Sequence, residues 1–196
     1  MSGTLYIAAK APRAGLAKTR LGNSIGHEPA AALYKGFLRD LAARFADAPF
    51  ECGWYVTPSD AWPEMRPLVS PLGEGRVLFQ GEGDWTERQR ELFGGAAGRG
   101  EDKVVLIASD SPHLTVEVVV RAFEELDRRD LVLGPTFDGG YYLGLAETVR
   151  EMGKEATGDQ NKVLVLHGDA HAQAIFETNQ GGELMQAILE RLQKYR

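Results

Sequence analysis

Apolar positions along this chain follow two rhythms. Leu5 to Ala9, Glu51 to Thr57 around Trp54, Tyr55 and Val56, Arg76 to Gln80, Lys103 to Ala108 and Asp130 to Leu133 are short, mostly apolar runs closed by proline, glycine or charge, a pattern that predicts buried strands. Between them the spacing becomes helical. Leu33, Tyr34, Phe37, Leu38, Leu41 and Phe45 form one stripe behind Pro29, which stands where a first helical residue would. Val118, Val119, Ala122, Phe123 and Leu126 form another, with Thr115 placed to cap it. GEGDWTERQRELF predicts a third helix, carrying Leu92 and Phe93 and capped by Asp84 or Thr86, and GGAAGRGED breaks it. Residues 58 to 75, rich in proline and glycine, predict a loop with a short helix around Glu64.

The last third is harder to read. Pro135 ends the fifth strand, Tyr141 to Leu145 is a further extended segment, and Val163 to Leu166 resembles another strand. Residues 147 to 162 are polar and charged without clear period, and Leu184 to Leu192 predicts a closing helix capped near Gly182. Strands alternating with helices at this spacing imply a mostly parallel sheet covered on both faces, a three-layer α/β/α sandwich. No internal repeat or low-complexity tract interrupts it. The expectation is a single domain over residues 1–196, with 146–196 as its divergent part.

Composition narrows the partners. The chain has 196 residues, 43% of them hydrophobic, which suffices for one sizeable core. Its net charge of −6 and pI of 5.3 argue against a general nucleic-acid or anionic-membrane surface. The evident basic cluster is confined to residues 10 to 20, so an anionic partner should be small. Cys52 is the sole cysteine, which excludes an internal disulfide and a cysteine-based zinc site within one chain. The first residues, MSGTLYIAAK, lack a charged leader, and no stretch approaches the ~20 apolar residues of a membrane helix. A reducing cytoplasmic location fits these features.

Three loops behind strands carry candidate chemistry. KAPRAGLAKTRL supplies Lys10, Arg13, Lys18 and Arg20 around Gly15, where the missing side chain lets backbone amides approach an anion. It reads either as a phosphate loop or as a solvated turn, and it is neither a Walker A nor a GxGxxG loop. Asp110, in LIASDSPHL, follows the fourth apolar run, and Pro112 biases Ser111 away from helical torsions. In LGPTFDGGYYLGL, Asp138 stands against Gly139, Gly140, Tyr141 and Tyr142; it reads as a site carboxylate or as part of an Asp-Gly hairpin turn. Two carboxylates at strand ends suit Mg²⁺ or Mn²⁺, which accept one or two protein oxygens plus phosphate and water. His167, Asp169 and His171 alternate, as ligands of Zn²⁺ or Fe²⁺ on an extended segment would, although such alternation also occurs in polar loops by chance. No Ser-His-Asp or Cys-His triad can be assembled from Ser109, Ser111 or Cys52.

KAPRAGLAKTRL, QGEGDWTER, ASDSPHL and GPTFDGGYYLGL together resemble the bacterial radical-SAM/selenodomain-associated transferase 1 family, GT-A-like proteins of the nucleotide-diphospho-sugar transferase superfamily. In order and approximate spacing these motifs cover residues 4 to 145. A more distant likeness is to molybdopterin and 2-phospholactate guanylyltransferases. The resemblance implies a GT-A fold, a nucleotide or nucleotide-sugar donor, a small-molecule acceptor and a divalent cation at Asp110. It sets Lys18 and Arg20, with Lys10 and Gly15 of the same loop, on the donor phosphates, and Asp138 near the metal or acceptor beside Gly139, Gly140 and Tyr141. Gly83, Asp84, Glu87 and Arg88 match a segment usually written GDLGER, although Trp85 and Thr86 replace its Leu and Gly. After residue 145 the chain departs from the family, with Asn179 near the place of an expected tryptophan.

The expected function is therefore a metal-dependent transferase using a nucleotide-activated donor, most simply glycosyl transfer from a nucleoside diphosphate sugar, with Asp110 and Asp138 as catalytic and metal-binding residues. Two alternatives are a guanylyltransferase-like nucleotidyltransferase and a nucleotide-binding protein without turnover.

Overall fold

The computed structural model describes residues 3–72, 75–129, 131–135, 141–147 and 163–165. Its strands are β1 (Thr4–Lys10), β2 (Glu51–Thr57), β3 (Arg76–Phe79), β4 (Lys103–Ala108), β5 (Leu131–Pro135), β6 (Tyr141–Glu147) and β7 (Val163–Val165). They form one seven-stranded sheet in the order β3-β2-β1-β4-β6-β5-β7. β3, β2, β1 and β4 are parallel, β6 runs antiparallel between β4 and β5, and β7 is parallel to β5. The sheet is therefore mostly parallel, as the strand–helix alternation implied.

Among the described residues five α-helices accompany it: α1 (Thr19–Ile25), α2 (His27–Phe45), α3 (Trp62–Met65), α4 (Trp85–Gly94) and α5 (Val116–Glu125). Successive strand residues point to opposite faces, so the two faces carry separate cores. Leu5, Ile7, Trp54, Val56, Val105 and Ile107 meet Tyr34, Leu38, Leu41 and Phe45 of α2 and Val119, Ala122 and Phe123 of α5. On the other face Tyr6, Tyr55, Val104 and Leu106 meet Leu92 of α4. This is the three-layer arrangement. Burial of β1 on both faces explains why its sequence is a continuous apolar run with no alternation.

Gly53 in β2 shows how closely the layers approach. A Cβ there would lie 2.6 Å from the Arg76 carbonyl oxygen and 2.8 Å from the Tyr6 ring, so only glycine fits.

The helix edges depart from the sequence expectation in two places. Leu33, placed in the buried stripe of α2, is 44% exposed, while Tyr34, Leu38, Leu41 and Phe45 are buried. The loop read through residue 21 is cut short by α1, which Lys18 opens. Asp84, not Thr86, caps α4 in a capping box, accepting from Glu87 N at 2.9 Å while Glu87 Oε2 accepts from Asp84 N at 2.8 Å. Thr115 does stand at the N-cap of α5, without a side-chain cap bond. The closing helix expected over 184 to 192 and the His167, Asp169, His171 set lie outside the described residues. Among the described residues no helix is long and apolar enough to cross a membrane.

Alkaline stability follows from the buried tyrosines. Burial, foremost, pushes the hydroxyls of Tyr6, Tyr34 and Tyr55 from 10.0 up to about 12, and the Cys52 thiol from 9.0 up to about 12. Each group holds its proton more tightly folded than unfolded. Its stabilising contribution is complete below the unfolded pKa and is lost as pH rises toward the folded one. The melting temperature is expected to fall progressively between pH 9 and 12, and a flat profile across that window would contradict this burial.

Candidate functional site

The chain leaves β1 to build β2 and β3 on one side, then returns to place β4 on the other side of β1. The chain after β1 heads toward β2 and the chain after β4 toward the other half of the sheet, the kind of switch at whose carboxyl edge open α/β sheets form a ligand crevice. Both loops carry candidate residues. β1 and β4 run in register from Thr4↔Val104 to Ala8↔Ala108, and Ser109 N donates to Ala8 O at 3.0 Å, so Ser109 and Asp110 emerge beside the end of β1.

The two loops meet through Lys18 and Asp110, whose Nζ and Oδ2 lie 2.5 Å apart. The side chains are 19% and 22% exposed, so the pair is partly shielded from water. Asp110 Oδ1 is buried and has no hydrogen-bond partner among the described residues, and neither has Ser111 Oγ. A buried carboxylate oxygen left unpaired is costly and invites a ligand.

Lys18 also has a strained backbone. Its φ of 52° and ψ of 40° are left-handed, and it is the one positive-φ residue besides glycine among those described. Such a conformation costs a lysine about 1–2 kcal/mol. The ammonium sits 5.3 Å from the Tyr34 ring centre and 5.9 Å from that of Phe37, within cation–π reach of both. Tyr34 itself lies in the α2 core, where its hydroxyl accepts from Lys10 N at 3.1 Å and shares a 2.6 Å hydrogen bond with Ser109 Oγ.

The other candidates divide. The Lys10 side chain is exposed while its amide meets Tyr34. Gly15 forms an exposed corner with φ +75° and nothing near a hypothetical Cβ, leaving its backbone open to a ligand. Arg13 bonds to Asp60 at 3.1 Å and Glu64 at 2.7 Å, which ties the basic loop to the segment after β2. Arg20 is exposed on the first turn of α1.

Gly83, Asp84 and Arg88 lie beyond the end of β3, on the same sheet edge. Gly83 has φ +96°, and a Cβ would fall 2.1 Å from Glu87 Oε2. Arg88 Nη1 donates to Gln80 Oε1 at 3.2 Å, Gln80 Nε2 donates to Tyr55 O, and Tyr55 OH donates to Arg88 O, a closed ring that fixes this wall to β2. Asp84 serves as a helix cap there.

β5 ends and β6 begins at this edge too, Pro135 pairing with Tyr141. Asp138, Gly139 and Gly140 lie outside the described residues, as does the Tyr141 side chain. Among the described residues no three His, Cys, Asp or Glu side chains cluster around a common point.

Sequence reasoning missed Tyr34 and Ser109 as site residues. The available signal was a tyrosine within an otherwise apolar stripe, because a buried phenol needs a polar partner.

Residues 54–157, just over half of the chain, match the model of a family described as an uncharacterised protein conserved in bacteria, DUF2064. The chain belongs to this family. No curated protein matches its sequence. Solved structures similar to this DUF2064 chain include a Desulfovibrio desulfuricans G20 protein assigned as a nucleotide-diphospho-sugar transferase, 24% identical, with a TM-score of 0.73 over 99% of this chain and 98% of that one. A cytidylyltransferase from Leptospira borgpetersenii is 13% identical, with a TM-score of 0.54 over 98% and 96%. A 4-diphosphocytidyl-2C-methyl-D-erythritol synthase from Anaerococcus prevotii is 12% identical, with a TM-score of 0.51 over 97% and 96%. The DUF2064 chain thus has the fold of nucleotide-diphospho-sugar transferases and cytidylyltransferases.

Proposed function

We propose that this protein is a metal-dependent transferase using a nucleotide-activated donor, most simply one that moves a sugar from a nucleoside diphosphate sugar to a small acceptor. The observation that carries this reading is the Lys18–Asp110 pair at the switch between β1 and β4, with Asp110 Oδ1 left unpartnered. The fold, the four sequence motifs and the resemblance to radical-SAM/selenodomain-associated transferases support the same reading.

The donor set fits a hard cation. One carboxylate with a spare oxygen is what Mg²⁺ or Mn²⁺ takes from a protein when phosphate oxygens and waters complete its shell. When bound, that cation supplies charge that offsets the donor phosphates. Lys18 acts as a compact positive charge on the departing diphosphate, with Arg20 as a planar fork beside it. In this reading Lys10, Gly15, Gly83, Asp84 and Arg88 line the donor site; the family resemblance adds Gly139, Gly140 and Tyr141 to it and gives Asp138 the role of binding the cation or activating the acceptor. Rate enhancement in such a site is electrostatic and positional.

The likeness to a cytidylyltransferase favours one second reading, a nucleotidyltransferase acting on a nucleoside triphosphate. Both readings are tested together by thermal shift with nucleotides and nucleotide sugars, with and without Mg²⁺ and Mn²⁺, because a ligand specific to the folded state raises its melting temperature. A cation-dependent rise is expected for diphosphate-bearing ligands. No rise with any of them would end both readings. For the ligands that bind, release of free nucleoside diphosphate on adding acceptors supports glycosyl transfer, and release of pyrophosphate supports nucleotidyl transfer.

A further inference from the structure

We propose that Tyr34 is the positioning residue of this site: its hydroxyl clamps the loop after β1 to the loop after β4, and its ring carries the Lys18 ammonium, so that Lys18 and Asp110 face one diphosphate group. This rests on the phosphate-binding reading given above and adds to it the residue that sets the geometry.

Three contacts converge on one side chain. The Tyr34 hydroxyl accepts from the Lys10 amide, the last residue of β1, at 3.1 Å. It is bonded at 2.6 Å to Ser109 Oγ, one residue before Asp110. Its ring lies 5.3 Å from Lys18 Nζ. A phenol buried at 3% exposure is costly unless bonded, and here both of its bonds go to the rims of the crevice. Phenylalanine would fill the same space in the core, as Phe45 does farther along α2. The hydroxyl is thus unnecessary for packing and specific to the crevice.

The clamp also explains how Lys18 is held in left-handed backbone. Residues 11 to 18 are anchored at one end by the Tyr34–Lys10 bond and at the other by the Lys18–Asp110 pair, and Ser109 joins the two anchors. Removing the hydroxyl unlinks the Ser109 side chain from the Lys10 amide, while the backbone bond from Ser109 N to Ala8 O and the ring beneath Lys18 stay in place.

The test uses the full chain and inorganic pyrophosphate with Mg²⁺, a probe that needs no knowledge of the base. Calorimetric titration is run on wild type, Tyr34→Phe, Ser109→Ala and the double variant. Ser109→Ala is expected to weaken pyrophosphate binding about five- to tenfold, the worth of one hydrogen bond, and Tyr34→Phe, which also removes the bond to the Lys10 amide, by at least as much. The double variant should lose no more than the larger single loss, because both changes remove the same link. Unchanged affinity in Tyr34→Phe, or fully additive losses, would overturn the clamp.

A second readout does not depend on ligand. In wild type the two ε-methylene protons of Lys18, assigned by comparison with Lys18→Arg, should give distinct NMR signals, since the ammonium is held between two rings and a carboxylate. In Tyr34→Phe, where both rings remain but Asp110 is held less firmly against the ammonium, the separation of the two signals should shrink, with other lysines unmoved. An unchanged Lys18 signal also overturns the proposal. If wild type takes up no pyrophosphate, the phosphate reading fails by itself and the NMR comparison alone decides the role of Tyr34.

Discussion

Replacing Asp110 by asparagine is expected to abolish the gain in nucleotide affinity that Mg²⁺ or Mn²⁺ brings, while the fold survives. The carboxylate is partly exposed at a loop after β4, not in either core, so the packing of the sheet does not depend on it. Asparagine keeps the shape and loses the charge on which a hard cation depends. Lys18 supplies the counterpart. Its ammonium sits against Oδ2, where it competes with a cation for the same oxygen. Lys18→Gly, which also suits the left-handed backbone, is expected to weaken diphosphate binding while tightening Mn²⁺ binding measured without nucleotide. Manganese EPR and calorimetry read the two effects separately. Identical nucleotide affinity in Asp110→Asn with and without Mn²⁺, but still cation-stimulated in wild type, is the expected result; retained stimulation in the variant would remove Asp110 from the site.

The second large effect lies at the opposite edge of the sheet. Glu101→Ala should destabilise the protein by about 3–5 kcal/mol, the cost of leaving a buried ionic network without its centre. The Glu101 side chain is 1% exposed. Its Oε1 accepts from Tyr6 OH at 2.5 Å and from Arg76 Nη1 at 2.9 Å, and its Oε2 accepts from Arg99 Nε and Nη2 at 2.9 and 2.8 Å. Arg99 in turn stacks 5.7 Å from the Tyr6 ring. This carboxylate ties the starts of β3 and β4 to the face of β1, and alanine would leave the phenol of Tyr6 unbonded and the Arg99 guanidinium without its counter-charge, holding the Leu92 carbonyl alone. Glu101→Gln, which keeps acceptor and donor atoms, should lose less. Urea unfolding of both variants measures the difference. A loss under about 1 kcal/mol for alanine would mean that water replaces the carboxylate, in conflict with its burial. Pyrophosphate affinity should not change in the folded fraction, since the network stands at the amino ends of the strands.

Strand and helix identities were legible because burial imposes a period. β1 and β4 carry unbroken apolar runs, Leu5 to Ala9 and Val104 to Ala108, since both of their faces are covered, and the stripes of α2 and α5 mark the sides that meet the sheet. The Asp84 cap and the break before β4 were legible as local turn chemistry. α1 was not. TRLGNSI is short, contains a glycine and shows no stripe; it is stabilised by lying against α2, where a Cβ on Gly22 would fall 2.2 Å from the His27 ring. The exposure of Leu33 was hidden for a related reason, since a hydrophobic stripe does not state how wide a face its neighbours cover.

Reading residues in order yields the set of charged loops and the strand ends that carry them, because local composition controls turns and caps. Which loops face one another is a property of strand order. Lys18 and Asp110 are 92 positions apart, and they meet because β4 pairs with β1 in parallel register, a long-range choice made by the packing of both sheet faces at once. The same choice turns Tyr34 from one more core residue into the link between two rims, since its hydroxyl finds Lys10 and Ser109 only after β1, β4 and α2 have assembled.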